Sequence, residues 1–393
     1  MGRNGSLGLM LRIARYSSAT STSPLLFANL KKSLTVSPKP LVDNAKLVFG
    51  QTFSDHMLTI ASSPSGWQAP SIAPYAKLQL DPSASVLHYG VECFEGMKAY
   101  KDKHGKIRLF RPDMNMTRFL KSSTRLALPS FDRAELLKCI KEFVRTEQRW
   151  IPNERGYSLY LRPAHIATQA SLGVGASHSS LIFVIASPVG PYYKTGFAPV
   201  KLAASTEYVR AWPGGTGDCK IGGNYAPGIR PQIQVVNDGF QQILWLFGPD
   251  HLITEGLLFN VVGTMNFFVY WVNEHGEKEL ATPPLDGTIL PGVTRDSILS
   301  LAREWGIKVA ERDLPMHVVK AAVKDNRVLE MFGAGTAAIV SPIKQIKYNQ
   351  DVMDIPLGSK PGNKAGELTS RIADTILGIQ YGEISHKWSV VVD

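Results

Sequence analysis

Short runs of apolar, β-branched and aromatic residues alternate along this chain with stretches whose apolar residues fall at helical spacing. That alternation narrows the open architectures to an α/β (α+β) protein. In the second half, strands are expected at 200–205, 242–247, 267–272 and 328–332, and helices at 224–237, 294–305 and 315–323. In the first half, 78–87 and 96–110 read as short strands or hairpins, and 159–163 and 181–186 as buried strands. Helices are expected at 114–126 and 133–150, the second with Leu136, Leu137, Ile140 and Phe143 on one face. The 18 uncharged residues 256–273 approach the length of a membrane span, but Asn260, Gly263, Thr264 and Asn266 interrupt them. They read as strands, and no membrane association is expected.

A length of 393 residues accommodates two domains with sizeable cores. The Gly- and Pro-rich stretch 188–199 is the natural linker. The folded part is expected to begin near Leu47, giving a small N-terminal domain at 47–193, a linker at 194–204 and a larger C-terminal domain at 205–393. The first 42 residues contain no Asp or Glu but carry Arg3, Arg12, Arg15, Lys31, Lys32 and Lys39. This reads as a mitochondrial transit peptide, with 1–26 removed and 27–46 left as an arm, and a matrix location. Much of the net charge of +10 sits there. The remaining positive charge forms no stripe, which argues against nucleic acid. Cys93, Cys139 and Cys219 are isolated thiols without metal-ligand spacing, so neither a disulfide framework nor a metal site is expected.

The segment Asp218-Cys219-Lys220-Ile221-Gly222-Gly223-Asn224-Tyr225 sets a lysine beside two glycines. An exposed glycine turn would look the same. A Schiff-base lysine, however, needs its amine and a side-chain-free surface close to a flat carbonyl cofactor, and Lys220 is the candidate nucleophile. Two further segments can bind an anion. Leu290-Pro291-Gly292-Val293-Thr294-Arg295 leads into a helix whose free amides suit a phosphate. Gly333-Ala334-Gly335-Thr336 follows an apolar strand and offers amides and a hydroxyl to the same group. Arg118 adds positive charge if its helix faces them.

Together with His88-Tyr89-Gly90, Phe94-Glu95-Gly96, Tyr160-Leu161-Arg162-Pro163, Gly248-Pro249-Asp250-His251, Val262-Gly263-Thr264-Met265-Asn266 and Gln380-Tyr381-Gly382, these segments make the chain resemble the branched-chain amino acid aminotransferases from about Leu47 to Trp388. These are pyridoxal-phosphate enzymes of fold type IV. The resemblance implies a small α/β N-terminal domain, a larger pseudo-barrel C-terminal domain, pyridoxal 5'-phosphate between them, and a homodimer. It implies that Lys220 is the cofactor-bound lysine, that Tyr225 hydrogen-bonds the ring hydroxyl, and that Glu255 faces the pyridine nitrogen. Arg118, Val293, Thr294 and Thr336 match phosphate-binding positions. Tyr89 of the partner subunit, Phe94, Tyr160, Tyr192 and Tyr225 match the wall of a pocket for leucine, isoleucine and valine. The amides of Thr336 and Ala337 match the substrate-carboxylate site, with Thr264 nearby, and Arg162 stands where the side chain of glutamate or 2-oxoglutarate would enter.

Two departures stand out. Family members pass directly from Thr-Glu to Val-Gly-Thr-Met-Asn, whereas here residues 256–261 intervene after Glu255. They are expected to loop out with Leu257, Leu258 and Phe259 exposed, or to displace Glu255, leaving open a catalytically impaired splice form. Some mitochondrial members also carry Cys-x-x-Cys where Ala338-Ile339-Val340-Ser341 stands, so their thiol switch cannot operate here. Sister enzymes of the fold, a D-amino acid aminotransferase or an aminodeoxychorismate lyase, lack the Tyr160–Pro163 and Gly248–His251 motifs. A phosphate-binding loop at 214–220 fails, because Cys219 and Ile221 flank the lysine where Gly and Ser or Thr are required.

Overall fold

A computed structural model of the chain describes residues 23–191, 197–258, 264–360 and 362–392. The N-terminal half builds a mostly antiparallel sheet in the order Lys31–Lys32, Ser71–Pro74, His56–Ser63, Ser180–Val189, Ser158–Ala167, Met97–Lys101, Ile107–Phe110 and Ser389–Val391. Gly66–Trp67 and Glu92–Phe94 pair alongside it. Its centre is the long pair Ser158–Ala167 and Ser180–Val189, in unbroken register from Ser158↔Val189 to Ala167↔Ser180. Helices Pro112–Arg125 and Arg133–Thr146 join this sheet's core through Met116, Phe119, Leu136, Ile140 and Phe143. Asp132 fixes where the second helix starts, its carboxylate accepting from the amides of Ala134 and Glu135.

In the second half six strands close into a ring. Leu252–Leu258, Gln242–Phe247, Val200–Ser205, Ile339–Tyr348, Val328–Gly335 and Thr264–Val272 follow one another, and the last pairs back with the first. Lys278–Thr282, Lys308–Glu311 and Asp351–Asp354 extend it. Val293–Glu304 and Glu367–Gln380 pack on one side around the stacked rings of Phe268 and Phe332, and Met316–Lys324 belongs to a separate core.

The sequence-based expectations for 200–205 and 242–247 match the strands at both ends. Others need correction. No strand forms at 78–87; a short helix, Ser85–Tyr89, ends at Gly90 in the left-handed region, because Asp81 closes a local turn onto Ser83 instead of pairing with a strand. The expected helix 224–237 is α-helical only over Ile229–Asn237, since Pro227 and Gly228 break it into tight turns first. The folded chain starts well before Leu47: Leu25 is fully buried in the first core, and Lys31–Lys32 pairs with Ser71 and Ile72. The proposed leader falls mostly outside the described residues. The far end of the chain crosses back to the first half as well, since Ser389–Val391 pairs with Ile107–Phe110 and Val392 enters the first core.

Residues 256–258 do not loop out, and the register shift in this ladder falls before them, between Leu244 and Leu246, opposite Thr254 and Glu255. They prolong the strand Leu252–Leu258 against Gln242, Ile243 and Leu244, and Glu255 keeps its place opposite Asn266. Gly256 and Leu257 pair with Met265 and Thr264 beyond the Glu255–Asn266 pair, so the pair stays in register. Residues 259–263 lie outside the described residues.

Candidate active site

Lys220 is held by the first sheet and its helices although it belongs to the loop after Val200–Ser205. Its amide donates to Ser122 Oγ at 2.8 Å, its carbonyl accepts from the amide of Phe94 at 3.0 Å, and Cys93 and Ile221 form an antiparallel bridge. Asn224 locks the loop from inside, its amide nitrogen donating to the carbonyls of Thr216 and Cys219. The lysine is buried, with Nζ 3.0 Å from the Tyr225 hydroxyl and 4.8 Å from the centre of the Phe94 ring. The Phe94 and Tyr225 rings lie 4.9 Å apart, and the Arg162 guanidinium lies 4.7 Å from the Phe94 ring centre and donates to the Tyr160 hydroxyl at 3.0 Å. The two glycines serve different ends. A Cβ on Gly222 would lie 1.9 Å from a carboxylate oxygen of Glu92, whereas Gly223 has nothing within 4 Å and leaves open surface beside the amine.

The amine faces a cleft that Arg118, Tyr160, Lys220, Val293, Thr294, Thr336 and Ala337 all line. At one end, helix Val293–Glu304 begins at Gly292 without any side-chain cap, leaving first-turn amides for an anion. A Cβ on Gly292 would meet Asn266 Oδ1 at 2.2 Å, so only glycine brings this backbone so close. Arg118 joins from the other half. Its Nη1 donates to the Pro291 carbonyl at 3.1 Å, while Nε and Nη2 grip both oxygens of Glu95 at 2.7 and 2.9 Å. Burial alone would raise the Glu95 carboxyl, but the Arg118 guanidinium more than offsets this and lowers it. Burial likewise opposes the charge on Arg118, and Glu95 restores it. The pair stays ionised, and a bidentate grip fixes the fork. An uncapped helix start, a preset cation and a flat opening beside an amine fit a phosphorylated aromatic aldehyde.

Other expected residues stand apart. Glu255 is buried behind the cleft, accepting from the Leu290 amide and ion-paired with Arg210, Nε to Oε2 3.2 Å. Tyr89 is exposed on the helix Ser85–Tyr89, its hydroxyl donating to the Leu172 carbonyl, away from the cleft. Thr264 begins the strand Thr264–Val272 opposite Leu257, and Tyr192 lies outside the described residues. Phe94, Arg162 and Tyr225 flank the lysine by the contacts above. Sequence reading missed Asn266, whose Nδ2 donates to the Leu290 carbonyl at 2.9 Å and which lines the cleft; alternation from Thr264 along the strand was the available signal. It also missed Glu95 as the clamp on Arg118, which no local pattern announces.

The family model described as Amino-transferase class IV matches residues 92–346. The chain is 57% identical to the branched-chain-amino-acid aminotransferase of Monosiga brevicollis, over 95% of this chain and 94% of that one. It is 51% identical to the mitochondrial form of Schizosaccharomyces pombe, over 93% and 86% of the two chains, and 51% identical to the cytosolic form of Mus musculus, over 91% and 92%. Among solved structures, the branched-chain amino acid aminotransferase of Thermobaculum terrenum in its PLP-form shares the fold at a TM-score of 0.65 and 21% identity, covering 86% of this chain and 98% of that one.

Proposed function

Because the chain belongs to the class IV aminotransferases, and among them to the branched-chain-amino-acid aminotransferase family, we propose that it moves the amino group of leucine, isoleucine or valine to 2-oxoglutarate, yielding the branched-chain 2-oxo acid and L-glutamate. The observation that carries this reading is the amine of Lys220, 3.0 Å from the Tyr225 hydroxyl, in a cleft shared with an uncapped helix start and Arg118. Pyridoxal 5'-phosphate, when bound, supplies a carbonyl for that amine and a conjugated ring that stores electrons released from the substrate α-carbon. Lys220 Nζ takes the proton from the α-carbon of the amino donor and, in the second half-reaction, delivers one to the α-carbon of the acceptor. Tyr225 steadies the ring hydroxyl, and Arg118 with the amides of Val293 and Thr294 and the Thr336 hydroxyl holds the phosphate. Glu255 serves the ring nitrogen, a role supported by its burial and by the order that Arg210 and the Leu290 amide impose on it.

Phe94, Tyr160 and Tyr225 wall an apolar pocket that excludes water around a branched side chain, joined by Thr264 and by Tyr89 of the partner subunit in a homodimer. Arg162 serves the second substrate, whose side-chain carboxylate the guanidinium beside Tyr160 can meet. The expected linker 194–204 does not hold over 200–204, which belong to the barrel strand Val200–Ser205. A matrix location follows from the basic, acid-free N-terminus, and relatives carry both mitochondrial and cytosolic names. Adding leucine alone to the yellow protein should bleach its visible band, and 2-oxoglutarate should restore it. No change with leucine but bleaching by a D-amino acid would favour the sister activity.

A further inference from the structure

The turn Thr336–Ala338, between strands Val328–Gly335 and Ile339–Tyr348, is a partition. One face lines the substrate cleft, and Ala337 and Ala338 also line a second cavity behind it, together with Lys98, Tyr100 and Tyr381. The turn is under strain, since Ile339, a β-branched residue, sits at a φ of 62°. Lys98 braces it from behind. From strand Met97–Lys101 of the first sheet, its Nζ donates to the Ala337 carbonyl at 2.9 Å. Among the described residues this is the one side-chain hydrogen bond that reaches residues 336–338. Burial pushes this amine down to about 8. Directly across the strand pair from Lys98 stands Tyr160, which faces the cleft.

We propose that Lys98 is a positioning residue for the α-carboxylate of both substrates. A trans peptide is planar, so a cation gripping the Ala337 carbonyl fixes the plane on the far side of Ala337, and with the strand Val328–Gly335 anchoring the near side it limits rotation of the planes that carry the Thr336 and Ala337 N–H groups. The inference rests on the reading of the Thr336–Ala337 amides as the carboxylate site. Leucine and glutamate share that carboxylate, so both should feel the loss of Lys98, unlike the loss of Arg162.

The test uses full-length Lys98→Met and Lys98→Arg proteins loaded with pyridoxal phosphate, with Ala337→Pro, which removes one amide donor, as a third variant. Lys98→Met should keep the visible band and its kcat within about twofold. Its KM should rise at least about tenfold for leucine and for glutamate alike, as expected for a lost charged contact, while the affinity for 3-methylbutylamine, which lacks the carboxylate, stays unchanged. Lys98→Arg should recover most of the loss. A rise in KM for one substrate alone, a fall in kcat at constant KM, or weaker amine binding overturns the proposal. If Ala337→Pro raises KM while Lys98→Met does not, only the role of Lys98 falls; if neither does, the carboxylate site itself is misread.

Discussion

Glu255 stands directly across from Asn266 in the strand pair that closes the barrel, and Gly256 and Leu257 continue that pairing opposite Met265 and Thr264. This protects the cleft from the insertion, because Asn266 and the Leu290 amide still meet their partners at its back.

Deleting residues 256–261 should therefore leave kcat within about twofold. It should also lower the melting temperature by a few degrees, because the cross-strand pairs that Gly256–Leu258 makes with Gln242–Leu244 disappear. Steady-state assay and calorimetry on the deletion variant check this. A joint rise in activity and stability would show the insertion to be a defect.

Arg162→Ala should raise KM for glutamate and 2-oxoglutarate more than for leucine, because only the dicarboxylic partner uses the charge. The difference should be roughly 1.5–3 kcal/mol, the range for a lost charged hydrogen bond. Its guanidinium rests on Phe94 and Tyr160, so the variant should stay yellow. Equal losses for both substrates would contradict the assignment.

Glu95→Gln leaves the Arg118 guanidinium buried with only neutral partners. Breaking one side of a buried pair costs about 3–5 kcal/mol, and here the cost should divide between fold stability and cofactor retention. Urea unfolding and a pyridoxal-phosphate titration measure the two parts. An unchanged cofactor affinity would remove Arg118 from the phosphate site.

Chain segments bounded by apolar runs and turns were legible in the sequence, as at Val200–Ser205 and Gln242–Phe247. Lys278–Thr282, Lys308–Glu311 and Asp351–Asp354 were not, since their polar edges carry no period and pairing with neighbouring strands decides them. In the site, motifs announced Lys220, Gly223 and the helix start at Gly292. Glu95, Arg210 and Lys98 were silent, because each acts through a partner more than twenty residues away that only the tertiary fold brings near.

His165 is buried between the hydroxyls of Ser123 and Ser180, at 3.0 and 2.8 Å, and burial lowers its imidazole to about 3. The unfolded chain binds this proton near pH 6.5 and the folded chain does not. Its contribution to stability is thus present above pH 6.5 and lost as the pH falls toward 3. Between pH 7 and 5 the protein should lose about 2 kcal/mol more than His165→Gln does, at roughly 1.4 kcal/mol per unit. Parallel urea titrations at the two pH values check it; equal losses would mean the imidazole protonates within the fold.

The central claim is that Lys220 carries the cofactor. Reduction of the yellow protein with borohydride, followed by peptide mapping, should find the pyridoxyl group on Lys220 alone, in the peptide that also holds Tyr225. Lys220→Ala should give a protein with no reducible band. A label on Lys98 or any other lysine, with Lys220 unmodified, would contradict the account.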